Sequence, residues 1–267
     1  MKINAFGLSD VGRERQTNQD RHLCLNKLAF YVVADGMGGV AGGEIASSLA
    51  CHIIDVMVHH AFRDDGWIWP SQWSKDAFNP ELPLESNILA FAIERAHETI
   101  QTHAQNTPGY ESMGTTVVCA LFHKGKAYFA HVGDSRCYLI RNEELRCLTS
   151  DHTWVKTKVW SGEITEEEAR NHPMRNLLWQ SLGGQAIQIE HHCEPVLAGD
   201  MLLLCSDGVT EMLTDREIGL IIQKASPDPE AAARQMVEDA NEGGGRDNIT
   251  AILVHVAASE EADKATG

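Results

Sequence analysis

Five aspartates adjoin short apolar runs. Asp20 in TNQD stands just before HLCL, Asp35 ends FYVVAD, Asp134 follows AHVG, Asp207 follows LLCS, and Asp247 in RDN comes just before ITAILV. Each alone has an ordinary explanation, because Asp-Gly, Asp-Ser and Asp-Asn are common turn dipeptides. Together they form a pattern. The neighbouring runs are apolar enough to be core strands, and strand ends converge in space. Carboxylates gathered in that way repel one another and either take up protons or bind cations. Hard oxygen ligands beside flexible glycine backbone suit Mg²⁺ or Mn²⁺.

The stretch VVADGMGGVAGGE (32–44) also satisfies a dinucleotide-binding pattern in its alanine-ended form, through Gly36, Gly38 and Ala41. Two observations weigh against that reading. Asp35 puts a negative charge where a pyrophosphate would sit, and the acidic residue at the spacing expected for ribose, Asp55, falls inside a helical stripe. Other chemistries lack their residues: there is no HExxH, CxxC, EF-hand loop, Walker lysine or GxSxG elbow, and no cysteine has an arginine six positions later. The doublets His59-His60 and His191-His192 read as surface or half-buried pairs. What remains as nucleophile is a metal-activated water.

These residues need elements to carry them. INAFG, HLCL and AFYVVAD read as strands, followed by an amphipathic helix over 44–62 and a second over 85–104. Between the helices, residues 63–83 hold Trp67, Trp69 and Trp73 and show no period, as expected of an ordered loop. From GTTVVCALF to LRCLT, short strands joined by tight turns predict antiparallel sheet. TEEEARNHP predicts a short helix, MLLLCSD a strand, 214–224 and 229–241 helices, and ITAILVHV a last strand; residues 258–267 read as a solvated tail.

With 267 residues and 43% apolar content the chain can build a sizeable core, and one domain is expected. A formal charge of −16 makes nucleic acid and anionic membrane poor partners and metal cations good ones. Seven scattered cysteines, mostly within apolar runs, fit reduced thiols in the cytoplasm. No stretch reaches the ~20 apolar residues of a membrane span.

In order along the chain, RQTNQD, VVADGMGGVAGGEIAS, GTTVVCALF, AHVGDSRCYLIR, LTSDHTWV, GEITEEEARNHPMRNLLWQSLGG, LLLCSDGVTEML and GGRDNITAILV resemble the motif series of the metal-dependent Ser/Thr protein phosphatases of the PPM (type 2C) family, bacterial-type branch. The resemblance implies an α+β fold: a four-layer α-β-β-α sandwich of two antiparallel sheets with helices outside, plus a flap subdomain at about 151–184, all within residues 1–257. It implies two Mn²⁺ or Mg²⁺ ions, with Asp35 bridging both, the Gly36 carbonyl on one, and Asp207 and Asp247 on the other. Asp20 would orient waters beside them, Asp134 would serve a weaker third metal, and Arg15 would grip the substrate phosphate. The implied reaction is hydrolysis of phosphoserine and phosphothreonine proteins by in-line attack of a water bridging the two ions. An opposing kinase of the eukaryotic-like type is the implied partner.

Two departures stand out. Met37 replaces a histidine proposed as general acid in some relatives, and Gln19 replaces a glutamate ligand; both are usual in the bacterial branch. The insertion at 63–83 is longer than usual, and loop packing is its simpler explanation. Trp154, Trp160 and Trp179 fall in the flap, where they bear on access to the site. A catalytically silent member of the same fold that binds a phosphoprotein or regulates a complex is the alternative function.

Overall fold

FYVVA, VVCAL and MLLLC carry apolar side chains at consecutive rather than alternate positions, which a strand sustains only when both of its faces are covered. The computed structural model, which describes residues 1–64 and 66–258, shows both covers. The elements run β1 (Lys2–Asp10), β2 (Arg21–Leu25), β3 (Phe30–Ala34), β4 (Gly36–Met37), α1 (Gly39–Ala61), β5 (Phe62–Arg63), β6 (Gly66–Trp67) and α2 (Leu84–Asn106). Then come β7 (Gly114–Thr115), β8 (Val117–His123), β9 (Lys126–Val132), β10 (Arg136–Arg141), β11 (Glu144–Cys147), α3 (Trp154–Trp160) and α4 (Glu166–Arg170). The chain closes with β12 (Glu190–Pro195), β13 (Met201–Cys205), α5 (Asp207–Thr210), α6 (Asp215–Ala225), α7 (Pro229–Glu242) and β14 (Ile249–Ala257).

Two antiparallel sheets result, one ordered β1-β14-β13-β10-β11 and the other β12-β9-β8-β3-β2. Successive side chains of a strand point to opposite faces. In β3, Tyr31 and Val33 therefore enter the core between the sheets with Val118, Phe129, Leu202 and Ile252. Phe30, Val32 and Ala34 instead meet α1 and α2 on the outside. On the other sheet, Leu203, Cys205, Ala251 and Leu253 face Ile218 and Ile222 of α6 and Met236 of α7. The expected four-layer α-β-β-α sandwich is what forms.

Three differences from the sequence reading bear on the core and the site. α1 begins at Gly39 rather than at residue 44, because glycines are poor helix formers and mask the start. They serve packing instead: a Cβ on Gly43 would lie 2.5 Å from the Gly36 carbonyl carbon. α3 and β12 were not expected. β12, EHHCEP, is a polar edge strand whose register against β9 supplies what its composition does not. Third, the insertion at 63–83 is an aromatic knot. Trp67 and Trp73 are buried, Trp73 stacks on Phe91 of α2 at 4.4 Å, and Trp69 meets Trp73 and Phe78 edge-on. Its tryptophans pack onto the domain, in line with the simpler explanation. Of the expected tail, residues 259–267 lie outside the described residues. Among the described residues no helix is long and apolar enough to cross a membrane.

Candidate metal centre

Strand register gathers the aspartates within each sheet, and the packing of the two sheets brings all five to one end of the sandwich. In one sheet Arg21 pairs with Ala34, so Asp20 and Asp35 share an end; Val33 pairs with Val118 and Val117 with Val132, which brings Asp134 there as well. In the other sheet Cys205 pairs with Ala251, which places Asp207 and Asp247 side by side. All five predicted carboxylates are thus gathered, two from one sheet and three from the other.

Their electrostatics show the crowding. Burial raises the Asp20 carboxyl to about 6, with Asp247 adding repulsion against the hydrogen bonds that lower it. Burial raises Asp35 well above the usual carboxylate range, and Asp20, Asp207, Asp134 and Asp247 push it further in the same direction. Asp207 is raised well above that range by burial, then by Asp134, Asp247 and Glu211. Asp134 sits at about 7 through burial and the nearby Asp151. Four carboxyls that hold protons this tightly form a site that a divalent cation would relieve.

The surrounding polar groups fix the cluster. Asp20 Oδ2 accepts from Ser206 Oγ (2.8 Å) and Thr250 Oγ1 (2.6 Å). Thr250 Oγ1 contacts Ser9 Oγ at 2.7 Å, and Asn18 Nδ2 donates to Ser9 Oγ at 2.8 Å, which completes a relay of donors ending on the carboxylate. The Asp35 carbonyl accepts from Thr116 N–H (2.9 Å) and Thr115 Oγ1 (2.8 Å), and the Asp35 N–H donates to Thr116 Oγ1 (3.2 Å). Asn248 accepts from Gln19 N–H at 2.8 Å and donates to the carbonyls of Val11 (2.9 Å) and Thr17 (3.0 Å). It thereby holds the whole 11–19 loop in place, more than the turn-shaping role its sequence position suggested. Thr115 and Thr116, read from sequence as plain strand residues, anchor Asp35. Ser9, Ser206 and Thr250 carried no sequence signal, since strand serines and threonines are common and only the contact distinguishes these.

Among the described residues, two buried oxygens against this scaffold, Asp20 Oδ1 and Asp207 Oδ1, meet no hydrogen-bond donor and face another carboxyl, that of Asp35, instead. Unpaired buried carboxylate oxygens are costly, and here they are supplied by residues already expected to ligate or orient metal. Gly36 is buried between the Gly43 and Gln19 carbonyls with no room for a side chain, so its own backbone is available at close range. The donor set is all oxygen, and it fits Mn²⁺ or Mg²⁺. Arg15 is exposed at the rim and donates from Nη2 to Asp247 Oδ2 at 2.7 Å. Gln19 turns its amide to the Gly39 carbonyl (2.7 Å), so it is otherwise engaged. A cleft of about 510 Å³ runs from Asp134 and Asp207 to Lys156, Arg170 and Arg175 of the 151–184 segment.

The glycine-rich turn is not a dinucleotide loop: β3 pairs antiparallel with both its neighbours, and Asp55 lies within α1.

An acidic centre of oxygen donors at one end of an α-β-β-α sandwich defines a protein built to hold divalent cations beside an open cleft. Residues 12–253 match the family model for protein phosphatase 2C, and the chain belongs to that family. It is 34% identical over 250 residues to the serine/threonine phosphatase stp of Listeria innocua, covering 92% of this chain and 93% of that protein. It is 35% identical over 248 residues to PstP of Mycobacterium tuberculosis, covering 93% of this chain and 44% of that longer protein. It superposes, with a TM-score of 0.79 and 30% identity over 96% of this chain and 99% of the other, on a crystal structure of the PstP catalytic domain in complex with two manganese ions.

Proposed function

We propose that this chain is a metal-dependent protein phosphatase that hydrolyses phosphoserine and phosphothreonine monoesters. The observation that carries the reading is the convergence of five aspartates from five separate segments, with buried oxygens of Asp20 and Asp207 left unpaired. Asp35, the Gly36 carbonyl, Asp207 and Asp247 would hold two Mn²⁺ or Mg²⁺ ions, and Asp134 a weaker third. Bound cations supply Lewis-acid charge to the phosphoryl oxygens and to an attacking water.

The chain's own groups do the rest. Asp20, pinned at Oδ2 by Ser206 and Thr250, keeps Oδ1 free to orient a water. Arg15, docked on Asp247 through one nitrogen, has its other donors open to a phosphate at the rim. Met37 has no proton to give, so the leaving alkoxide takes its proton from solvent in the cleft. Every position that the resemblance assigns to metal is filled, which argues against a silent binding protein.

Residues 1–257 are read as one phosphatase domain, with the flap at 151–184 forming a wall of the cleft. The opposing enzyme is a Ser/Thr kinase of the eukaryotic-like type, and the setting is the bacterial cytoplasm, in keeping with seven free cysteines. The decisive experiment is release of phosphate from a phosphothreonine peptide with Mn²⁺ and with EDTA. Turnover confined to the Mn²⁺ arm supports the reading, and none in either arm sinks it.

A further inference from the structure

Gly133, just before Asp134, adopts φ +107°, and a Cβ there would lie 2.6 Å from the Thr116 side chain. Only glycine accepts that backbone readily, so the direction in which Asp134 leaves β9 depends on what holds this peptide. His152 holds it from both sides. Its backbone N–H donates to the Gly133 carbonyl at 3.0 Å, and its ring Nδ1 accepts from the Gly133 N–H at 3.0 Å. The same Nδ1 accepts from Gln180 Nε2 at 2.6 Å. Gln180 cannot turn its amide over, because its Oε1 accepts from Gln188 N–H (2.7 Å) while its Nε2 also donates to the Gln188 carbonyl (3.0 Å).

With two donors on Nδ1, the ring proton resides on Nε2. That atom lies 3.1 Å from Glu190 Oε1. The ring is fully buried, stacked on His131 at 4.7 Å and covered by Trp179 at 5.1 Å. Burial pushes both imidazoles down, His152 further through its neighbour His131, so both are neutral near pH 7. His131, His152 and Glu190 have ligand atoms within 4.8 Å of one another, a spacing that suits a metal. The proton positions speak against one: a metal on His152 Nε2 would force a proton onto Nδ1, facing two donors.

We propose that His152 is a positioning residue: it clamps the Gly133 peptide between its own N–H and its ring, and so fixes the aim of Asp134 and the affinity of the weaker third cation. Gln180, near the other root of the flap, bonds the same ring nitrogen, so both roots of the flap meet on the atom that sets Asp134. The inference rests on reading Asp134 as a cation ligand.

The test compares His152→Ala, His152→Asn and His152→Gln with wild type. Asparagine places Oδ1 where Nδ1 was and can accept from Gly133; glutamine places its polar atoms nearer the Nε2 position and cannot. Three readouts are taken: hydrogen exchange at the Gly133 amide, Mn²⁺ binding followed by electron paramagnetic resonance of the free ion, and kcat and KM on a phosphothreonine peptide. In the Ala and Gln variants Gly133 should exchange about 100-fold faster, the third Mn²⁺ should weaken by about 10-fold, and kcat should fall by about 10-fold with KM nearly unchanged. The Asn variant should stay within about threefold of wild type in all three. An Ala variant with unaltered Gly133 exchange and third-ion affinity overturns the clamp, as does an Asn variant no better than Ala. Nitrogen NMR of the wild type showing a protonated His152 Nδ1 with zinc added would replace the clamp with a metal site. Wild type that binds no Mn²⁺ defeats the phosphatase reading instead, while Gly133 exchange still reports on the clamp.

Discussion

The acidic end of the sandwich and the tryptophan knot at 63–83 are built on opposite principles. In the knot, Trp67 and Trp73 are buried among apolar and aromatic neighbours, with ring geometries that favour attraction. At the acidic end, burial first and neighbouring carboxylates second hold four carboxyls where their affinity for protons is raised. One region supplies stability to the fold and the other draws on it. The lesson is that substitutions in the two places should move stability and activity in opposite senses.

The sharpest contrast is Asp35→Asn. Phosphopeptide turnover with Mn²⁺ should fall by about 10³-fold or more. The same variant, in EDTA at pH 7.5, should unfold at a higher urea concentration than wild type, because a buried carboxyl that must either carry charge among others or take up a proton at a cost is gone. A variant that keeps near-normal turnover would break the assignment of the centre, and one that is destabilised in EDTA would break the comparison. Next in size is Trp73→Ala, which should cost about 3–5 kcal/mol of stability in urea unfolding. Its kcat at 15 °C should stay within about twofold of wild type, because the knot touches α2 and not the carboxylates.

Proton linkage gives a third, smaller effect. Asp20 titrates at about 6 and Asp134 at about 7 in the fold, against 3.8 ordinarily. The folded, cation-free protein therefore holds protons that the unfolded chain has lost. The stability this provides is complete below about pH 4 and is lost as the pH rises through 6 and 7. Melting curves in EDTA from pH 5 to 8 should fall across that window, and Mn²⁺ should flatten the fall. The smallest effect is expected at Trp160, which is 54% exposed in the flap. Trp160→Ala should change stability by less than about 0.5 kcal/mol. A larger loss would mean that this tryptophan packs as those of the knot do.

Much of this was legible in the sequence. Asp20, Asp35, Asp134, Asp207 and Asp247 stand at the margins of apolar runs, so the carboxylate cluster and antiparallel sheet were legible from local pattern, whereas the two-sheet sandwich came from the resemblance to the family. The supports did not. Ser206 and Thr250 reach Asp20 across 186 and 230 residues, a relation that no local window contains. The start of α1 was hidden by glycines chosen for close packing rather than for helix propensity. β12 was hidden by its polar edge composition, since among the described residues its sheet partner is β9 alone. His152 gave no sign of its role, because one buried imidazole in LTSDHTWV looks the same whether it fills space or holds a peptide.

The backbone contact of Gly36 with Gly43 reaches further than the local packing it was described for. With no side chain between strand and helix there is little to compress, so a shift of the start of α1 is expected to carry the Asp35 segment with it. A binder gripping the solvent side of this 23-residue helix would therefore have a mechanical handle on the centre without ever entering the cleft.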